Sequence, residues 1–220
     1  MRYKRITLLC GHYGSGKTNI AVNMAFDLKN NHKNVAIADL DIVNPYFRTK
    51  DSAEEFSKRG IRLICSEYAG SNVDIPALPA EMYALTDDKS MMCVIDVGGD
   101  DRGALALGRL APKILEEKDY EMLLVVNRFR PLTCDATSTV EVMREIETAA
   151  GIRFTGIVNN SNLGEETTAQ DILDSLSYAD KVSAACGLPV VLTTVNEKLY
   201  NSLEGRVENL FPLKLQDKIK

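Results

Sequence analysis

A three-layer α/β fold, built on a mostly parallel seven-stranded sheet with helices on both faces, is predicted by three features of this sequence. Short apolar or β-branched runs alternate with longer amphipathic stretches along the whole chain, which is the pattern of βαβ units. Several of the short runs, notably Met122-Leu-Leu-Val-Val126, are apolar at every position, so both faces of the strand need cover. No linker, internal repeat or low-complexity tract interrupts the alternation, and residues 1–220 are expected to form one domain of ordinary size.

In chain order, strands are predicted at 6–10, 34–39, 62–66, 92–97, 122–127, 154–159 and 189–193. Helices are predicted between them, at 17–30, 52–58, 104–117, 138–150, 169–186 and 197–210. Their apolar residues recur three and four apart, as in Val140, Val142, Met143 and Ile146, so one face of each helix can pack on the sheet. The stretch 70–89, with Pro76 and Pro79, reads as an irregular insertion.

Composition narrows the function classes. A net charge of −5 and a pI near 5.2 lack the basic excess of an electrostatic nucleic-acid binder. No run of about 20 apolar residues offers a membrane span. The five cysteines, Cys10, Cys65, Cys93, Cys134 and Cys186, show no metal-ligand spacing and read as reduced core thiols. The basic start, residues 1–5, leads into a glycine loop and not into a cleavage site. A cytoplasmic protein without nucleic-acid or membrane partners is the expectation.

Gly11-His-Tyr-Gly-Ser-Gly-Lys-Thr18 fits the phosphate-binding pattern G-x-x-x-x-G-K-[ST] and stands where that pattern needs to stand, between a strand and a helix. Glycines let backbone N–H groups turn inward. Lys17 can reach the outer phosphates, and Thr18 can ligate Mg²⁺, at a helix N-terminus that favours anions. Gly11, Gly14, Ser15, Gly16, Lys17, Thr18 and Asn19 are therefore the candidate nucleotide contacts.

Ligands of open α/β sheets sit beyond the carboxyl ends of strands, so acids there are candidates for chemistry. Asp39 and Asp41 end one strand and, two apart, share a face. Asp96 ends another and opens Asp-Val-Gly-Gly99, with Gly99 a backbone donor to a terminal phosphate. Asp100 and Asp101 read as a solvated acidic turn.

The phosphate loop, the Asp-x-Asp strand end and the D-x-x-G strand together resemble the MinD/ParA/CobQ family of P-loop ATPases, the SIMIBI class, over nearly the whole chain. The resemblance implies ATP with Mg²⁺. Lys17 and Asp41 would be catalytic, Asp41 by aligning the attacking water. Thr18, with Asp39 and Asp96 acting through water, would hold the metal. Gly156-Ile-Val-Asn-Asn160 looks like the family strand whose terminal Asn binds adenine, which nominates Asn160, with Asn159 the nearby rival and Asn127 third. The loop after Val191-Leu-Thr-Thr-Val195 would border the base. No Asn-Lys-x-Asp motif is present, which by the same comparison disfavours GTP.

The chain departs from the family at His12, where a second lysine normally reaches into the partner subunit of an ATP-bridged dimer. A neutral imidazole lacks that fixed charge, so His12 counts against a homodimer. Arg48 could supply a cation nearby. The tail 209–220 mixes apolar and basic residues like the membrane-surface helix of MinD, but Pro212 and Asp217 oppose that, and packing on its own domain is expected.

Three functions follow. The first is a slow ATPase that acts as a nucleotide-dependent switch for a protein partner. The second is a small-molecule ATP-dependent ligase or kinase resembling dethiobiotin synthetase or cobyrinic acid amidase, with Arg102, Arg128, Arg130 and the insertion 70–89 forming an anionic substrate site. The third is a non-hydrolysing binding module.

Overall fold

A computed structural model of the protein describes residues 3–40, 53–65, 80–99 and 101–215. Eight strands are seen: β1 Ile6–Cys10, β2 Val35–Leu40, β3 Arg62–Cys65, β4 Met92–Val97, β5 Tyr120–Val126, β6 Gly156–Asn159, β7 Val190–Asn196 and β8 Leu210–Leu213. They form one sheet in the order β3-β2-β4-β1-β5-β6-β7-β8, and every neighbouring pair is parallel. The helices are α1 Lys17–Asn31, α2 Ala53–Arg59, α3 Ala80–Asp87, α4 Asp101–Glu117, α5 Ala136–Ala150, α6 Ala169–Cys186 and the short α7 Tyr200–Leu203.

Period-two alternation divides the core into two layers. From the strands, Ile6, Leu8, Ala36, Ala38, Cys93 and Ile95 point to one face, where they pack with Leu107, Leu110, Met143 and Val182 from α4, α5 and α6. Leu9, Val35, Ile37, Val94, Val125 and Val158 point to the other and pack with Ile20, Met24 and Leu28 of α1 and Phe56 of α2. The double burial of β1, β2 and β4 explains why they read as continuous apolar runs.

The fold class is as predicted, with two local differences. The helix expected at 197–210 is a single 3-10 turn, Glu197–Leu199, followed by α7 and then by β8. Leu203, Val207 and their neighbours do pack together, so the apolar spacing was real, but Gly205 (φ 76°) and Asn209 (φ 50°) turn the backbone left-handed and end any helix. The sheet thus gains its eighth strand from the tail. Pro212 is tolerated because, among the described residues, β8 is an edge strand that pairs with β7 alone, so one side of its backbone needs no ladder donor. In the insertion 70–89, residues 80–87 form α3, and 66–79 lie outside the described residues. Of the cysteines, Cys10 and Cys93 are core residues, whereas Cys65 and Cys134 are exposed, so the expectation of core thiols fails for those two. No helix among the described residues is long and apolar enough to cross a membrane.

Candidate functional site

β1 lies inside the sheet, flanked by β4 and β5, and the chain leaves β1 into α1 on one face of the sheet but leaves the neighbouring β4 into α4 on the other. Its carboxyl end is therefore a crevice between diverging loops. The phosphate loop fills that crevice. Gly16 caps α1 at φ 89°, and a Cβ there would stand 2.3 Å from Asn160 Nδ2, so only glycine fits. Gly99 reaches the same loop from β4, and a Cβ on it would lie 2.6 Å from the Tyr13 backbone nitrogen. Gly11 follows β1 directly, and the carbonyl of Gly14 accepts a bond from Arg130 Nε at 2.8 Å.

Lys17 is almost fully buried. Its ammonium donates to the carbonyls of Gly11 (2.9 Å) and His12 (3.2 Å). Both are neutral acceptors within the loop itself. The buried hydroxyl of Ser15 and the buried amide oxygen of Asn19 have no hydrogen-bond partner among the described residues. Buried polar atoms are normally satisfied, so these two fit a polar ligand in the loop. Burial pushes the Cys10 thiol at the end of β1 well above its ordinary value, so this cysteine stays neutral there.

The acids come together as the strand register requires. Asp39 of β2 sits directly opposite Asp96 of β4, on the α1 side of the sheet, and both are buried. Thr18 Oγ1 donates to Asp96 Oδ2 at 2.5 Å. A hydroxyl and two carboxylates are hard oxygen donors, the type Mg²⁺ accepts, and two adjacent carboxylates favour a cation beside them. Asp41 and Arg48 lie outside the described residues, as does Asp100. Asp101 opens α4.

Strand alternation separates the asparagine candidates. Asn159 points to α6, where Nδ2 donates to Ser175 Oγ (2.9 Å) and Oδ1 accepts from Ser161 Oγ (2.7 Å). Asn160 points the other way. Its Nδ2 donates to the Ser15 carbonyl at 2.5 Å, and its Oδ1 accepts from Thr194 Oγ1 (2.5 Å) and Asn162 Nδ2 (2.9 Å). It thus ties the ends of β6 and β7 to the phosphate loop. Asn127 is buried nearby, with Nδ2 donating to the Asn162 carbonyl at 3.0 Å. Beyond this network a small cavity is lined by Asn160, Asn162, Thr167, Thr194 and Asn196, together with Leu213 and Leu215 of the tail. The part played by the tail was not anticipated, because nothing in a short Leu-Phe-Pro-Leu segment signals a place beside β7.

Of the arginines considered for an anionic substrate, Arg128 donates to the Asp174 carbonyl (2.8 Å) and Arg130 to Gly14. The side chain of Arg102 lies outside the described residues. His12 is half-buried, its Nδ1 3.1 Å from the Tyr13 carbonyl oxygen.

Residues 6–188 match the family model described as the CobQ/CobB/MinD/ParA nucleotide binding domain. A comparison with curated proteins found no match. Among solved structures the chain is similar to the cell division protein FtsY from Thermotoga maritima, at 20% identity over 97% of this chain and 65% of that one, with a TM-score of 0.60. FtsY from Mycoplasma mycoides is similar at 18% identity over 89% of this chain and 61% of that one, TM-score 0.57. The signal recognition particle receptor FtsY from Elizabethkingia anophelis in complex with GDP is similar at 16% identity over 99% and 62%, TM-score 0.53. At these identities the likeness is one of fold, and this chain spans less than two thirds of each of those chains.

Proposed function

Since the chain belongs to the CobQ/CobB/MinD/ParA nucleotide-binding family, we propose that it is a Mg²⁺-dependent ATP-binding protein whose slow ATP hydrolysis switches its affinity for a protein partner. The observation that carries this reading is the phosphate loop, with a buried lysine that donates to neutral carbonyls among the described residues and a Thr18–Asp96 pair beside it. Exchanging two carbonyls for phosphate oxygens strengthens the bonds of Lys17, because an anionic acceptor adds to a bond from an ammonium the Coulombic attraction that a neutral carbonyl lacks. Thr18, Asp39 and Asp96 would hold Mg²⁺, which when bound neutralises charge on the outer phosphates. Asp41 is assigned the positioning of the attacking water. A protein partner would read the segments that follow Asp41 and Asp96.

ATP is favoured over GTP by the lining of the base-end cavity. FtsY from Elizabethkingia anophelis holds GDP, and guanine presents an N–H and an NH₂ that a carboxylate accepts well. Asn160, Asn162, Thr194 and Asn196 line the cavity here, and no acid is among its described lining residues. Amides offer a donor and an acceptor together, which matches the edge of adenine. Arg128 and Arg130 are engaged with backbone carbonyls and give no specific support to a ligase that captures an anionic second substrate.

The test is phosphate release and nucleotide affinity for the wild type, Lys17→Ala and Asp41→Ala. Lys17→Ala is expected to lose both, and Asp41→Ala to keep binding while losing hydrolysis. Undiminished turnover in Lys17→Ala would refute the proposal, and tighter binding of GTP than ATP would refute its base assignment.

A further inference from the structure

We infer that the segment following β8 forms one wall of the nucleoside end of the site, and that Asn23 is the positioning residue that holds it there. This rests on the nucleotide reading above. Asn23 lies on α1, five residues after Thr18. Its Nδ2 donates to the Lys214 carbonyl at 3.1 Å, and its Oδ1 accepts from the Lys214 backbone N–H at 3.0 Å. The same Nδ2 donates to the Asn19 carbonyl at 2.8 Å, which fixes the amide against its own helix. A primary amide bound through both edges to the N–H and C=O of one residue reads backbone alone. The exposed side chain of Lys214 plays no part in the contact.

The two residues on either side of that clamp are Leu213 and Leu215. Both line the cavity that Asn160, Thr194 and Asn196 line from the ends of β6 and β7. Leu213 is brought there by the sheet, since it pairs with Asn196 in the β7–β8 register. Leu215 lies beyond the last ladder pair, where Asn23 supplies the nearest fixed point. Small-molecule sites combine apolar walls with a few polar groups that set orientation. Here the amides are the polar groups and the two leucines the wall. The helix whose first turn carries Lys17, Thr18 and Asn19 thus also anchors the apolar cover at the opposite end of the same ligand.

Calorimetric titration of wild type, Asn23→Ala and Leu215→Ala with Mg-ATP and with magnesium tripolyphosphate tests this, because tripolyphosphate has the phosphates and no base. Each variant is expected to bind ATP about tenfold more weakly, equal to about 1.4 kcal/mol, while tripolyphosphate affinity stays within about twofold. Hydrogen exchange across 210–215 is expected to slow on adding ATP in the wild type and not in Asn23→Ala. A merely structural role would weaken both ligands alike. Leu215→Ala breaks no hydrogen bond and carries the test if Asn23→Ala lowers the thermal midpoint. Variants that lose both ligands equally, or neither, overturn the inference alone. A wild type that binds neither ligand overturns the nucleotide reading and this inference together.

Discussion

Arg5 and Lys17 stand at opposite ends of β1, and each is 6% exposed. At the amino end the guanidinium of Arg5 forms an ion pair with the buried carboxylate of Glu117 and donates to the carbonyls of Leu85, Asp88 and Met91 at 2.9 to 3.1 Å. Glu117 also accepts from Lys89 at 2.9 Å. A cavity of about 720 Å³ opens beside this group, lined by Arg5, Lys89, Lys113, Asp87 and Glu117. Within this lining Lys89 pairs with Glu117 and Lys113 with Asp87. At the carboxyl end the ammonium of Lys17 meets two neutral carbonyls, with oxygens on Ser15 and Asn19 nearby that have no hydrogen-bond partner among the described residues. A buried charge met by a fixed opposite charge cancels its own field, whereas one met by dipoles keeps a field that can attract an anion. The larger cavity is therefore lined by paired charges of the scaffold, whereas the proposed chemistry belongs to the crevice at Lys17.

Substitution can break this contrast. Arg5→Met leaves the Glu117 carboxylate buried without its main partner, and denaturant unfolding is expected to show a loss of about 3 to 5 kcal/mol with ATP affinity per folded molecule unchanged. Lys17→Ala is expected to do the reverse, lowering turnover by about 100-fold or more, about 2.7 kcal/mol of transition-state stabilisation, with the unfolding curve hardly moved. Asn160→Ala sharpens the contrast by moving both readouts. It strips partners from the Ser15 carbonyl and the Thr194 hydroxyl, costing about 1 to 3 kcal/mol of stability and weakening ATP in the same variant.

The smallest effect is a pH dependence. The hydrogen bond from Arg5, then that from Lys89, holds the Glu117 carboxyl below its ordinary 4.5, against the opposing effect of burial. A carboxylate with a depressed folded pKa stabilises the fold above its unfolded value, and that stability is lost as pH falls through the lower folded one. In acid titrations of the thermal midpoint, Glu117→Gln should fall less steeply below about 4.5 than the wild type, with no change in the pH dependence of nucleotide binding.

Legibility from sequence followed the range of the interaction involved. β1, β2 and β4 are buried on both faces, and each announced itself as an apolar run. The phosphate loop was legible because its residues are contiguous and their chemistry is narrow. β8 was not legible. Leu199, Leu203, Val207 and Leu210 keep helical spacing while serving successively a 3-10 turn, a short helix, a connecting bend and a strand. They belong to one apolar cluster with Ile172 of α6 and Val195 of β7, an association that periodicity does not encode. Asn159 and Asn160 could not be separated by residue type, and only their opposite directions from β6 did so. The clamp from Asn23 to Lys214 carries no local signal at all.

The site's key contacts span 78 residues from Thr18 to Asp96, 145 from Ser15 to Asn160 and 191 from Asn23 to Lys214. Pairings so distant in the chain form late, since loop closure precedes any reward from contact. During synthesis the loop and α1 leave the ribosome long before the strands that flank β1. A nascent chain therefore carries the phosphate-binding motif well before it has the walls that make it a site. On the proposed reading, a bound nucleotide would stabilise only those chains in which β4, β6 and β7 have already joined the sheet, and so would act on the final steps of folding and leave the early ones untouched.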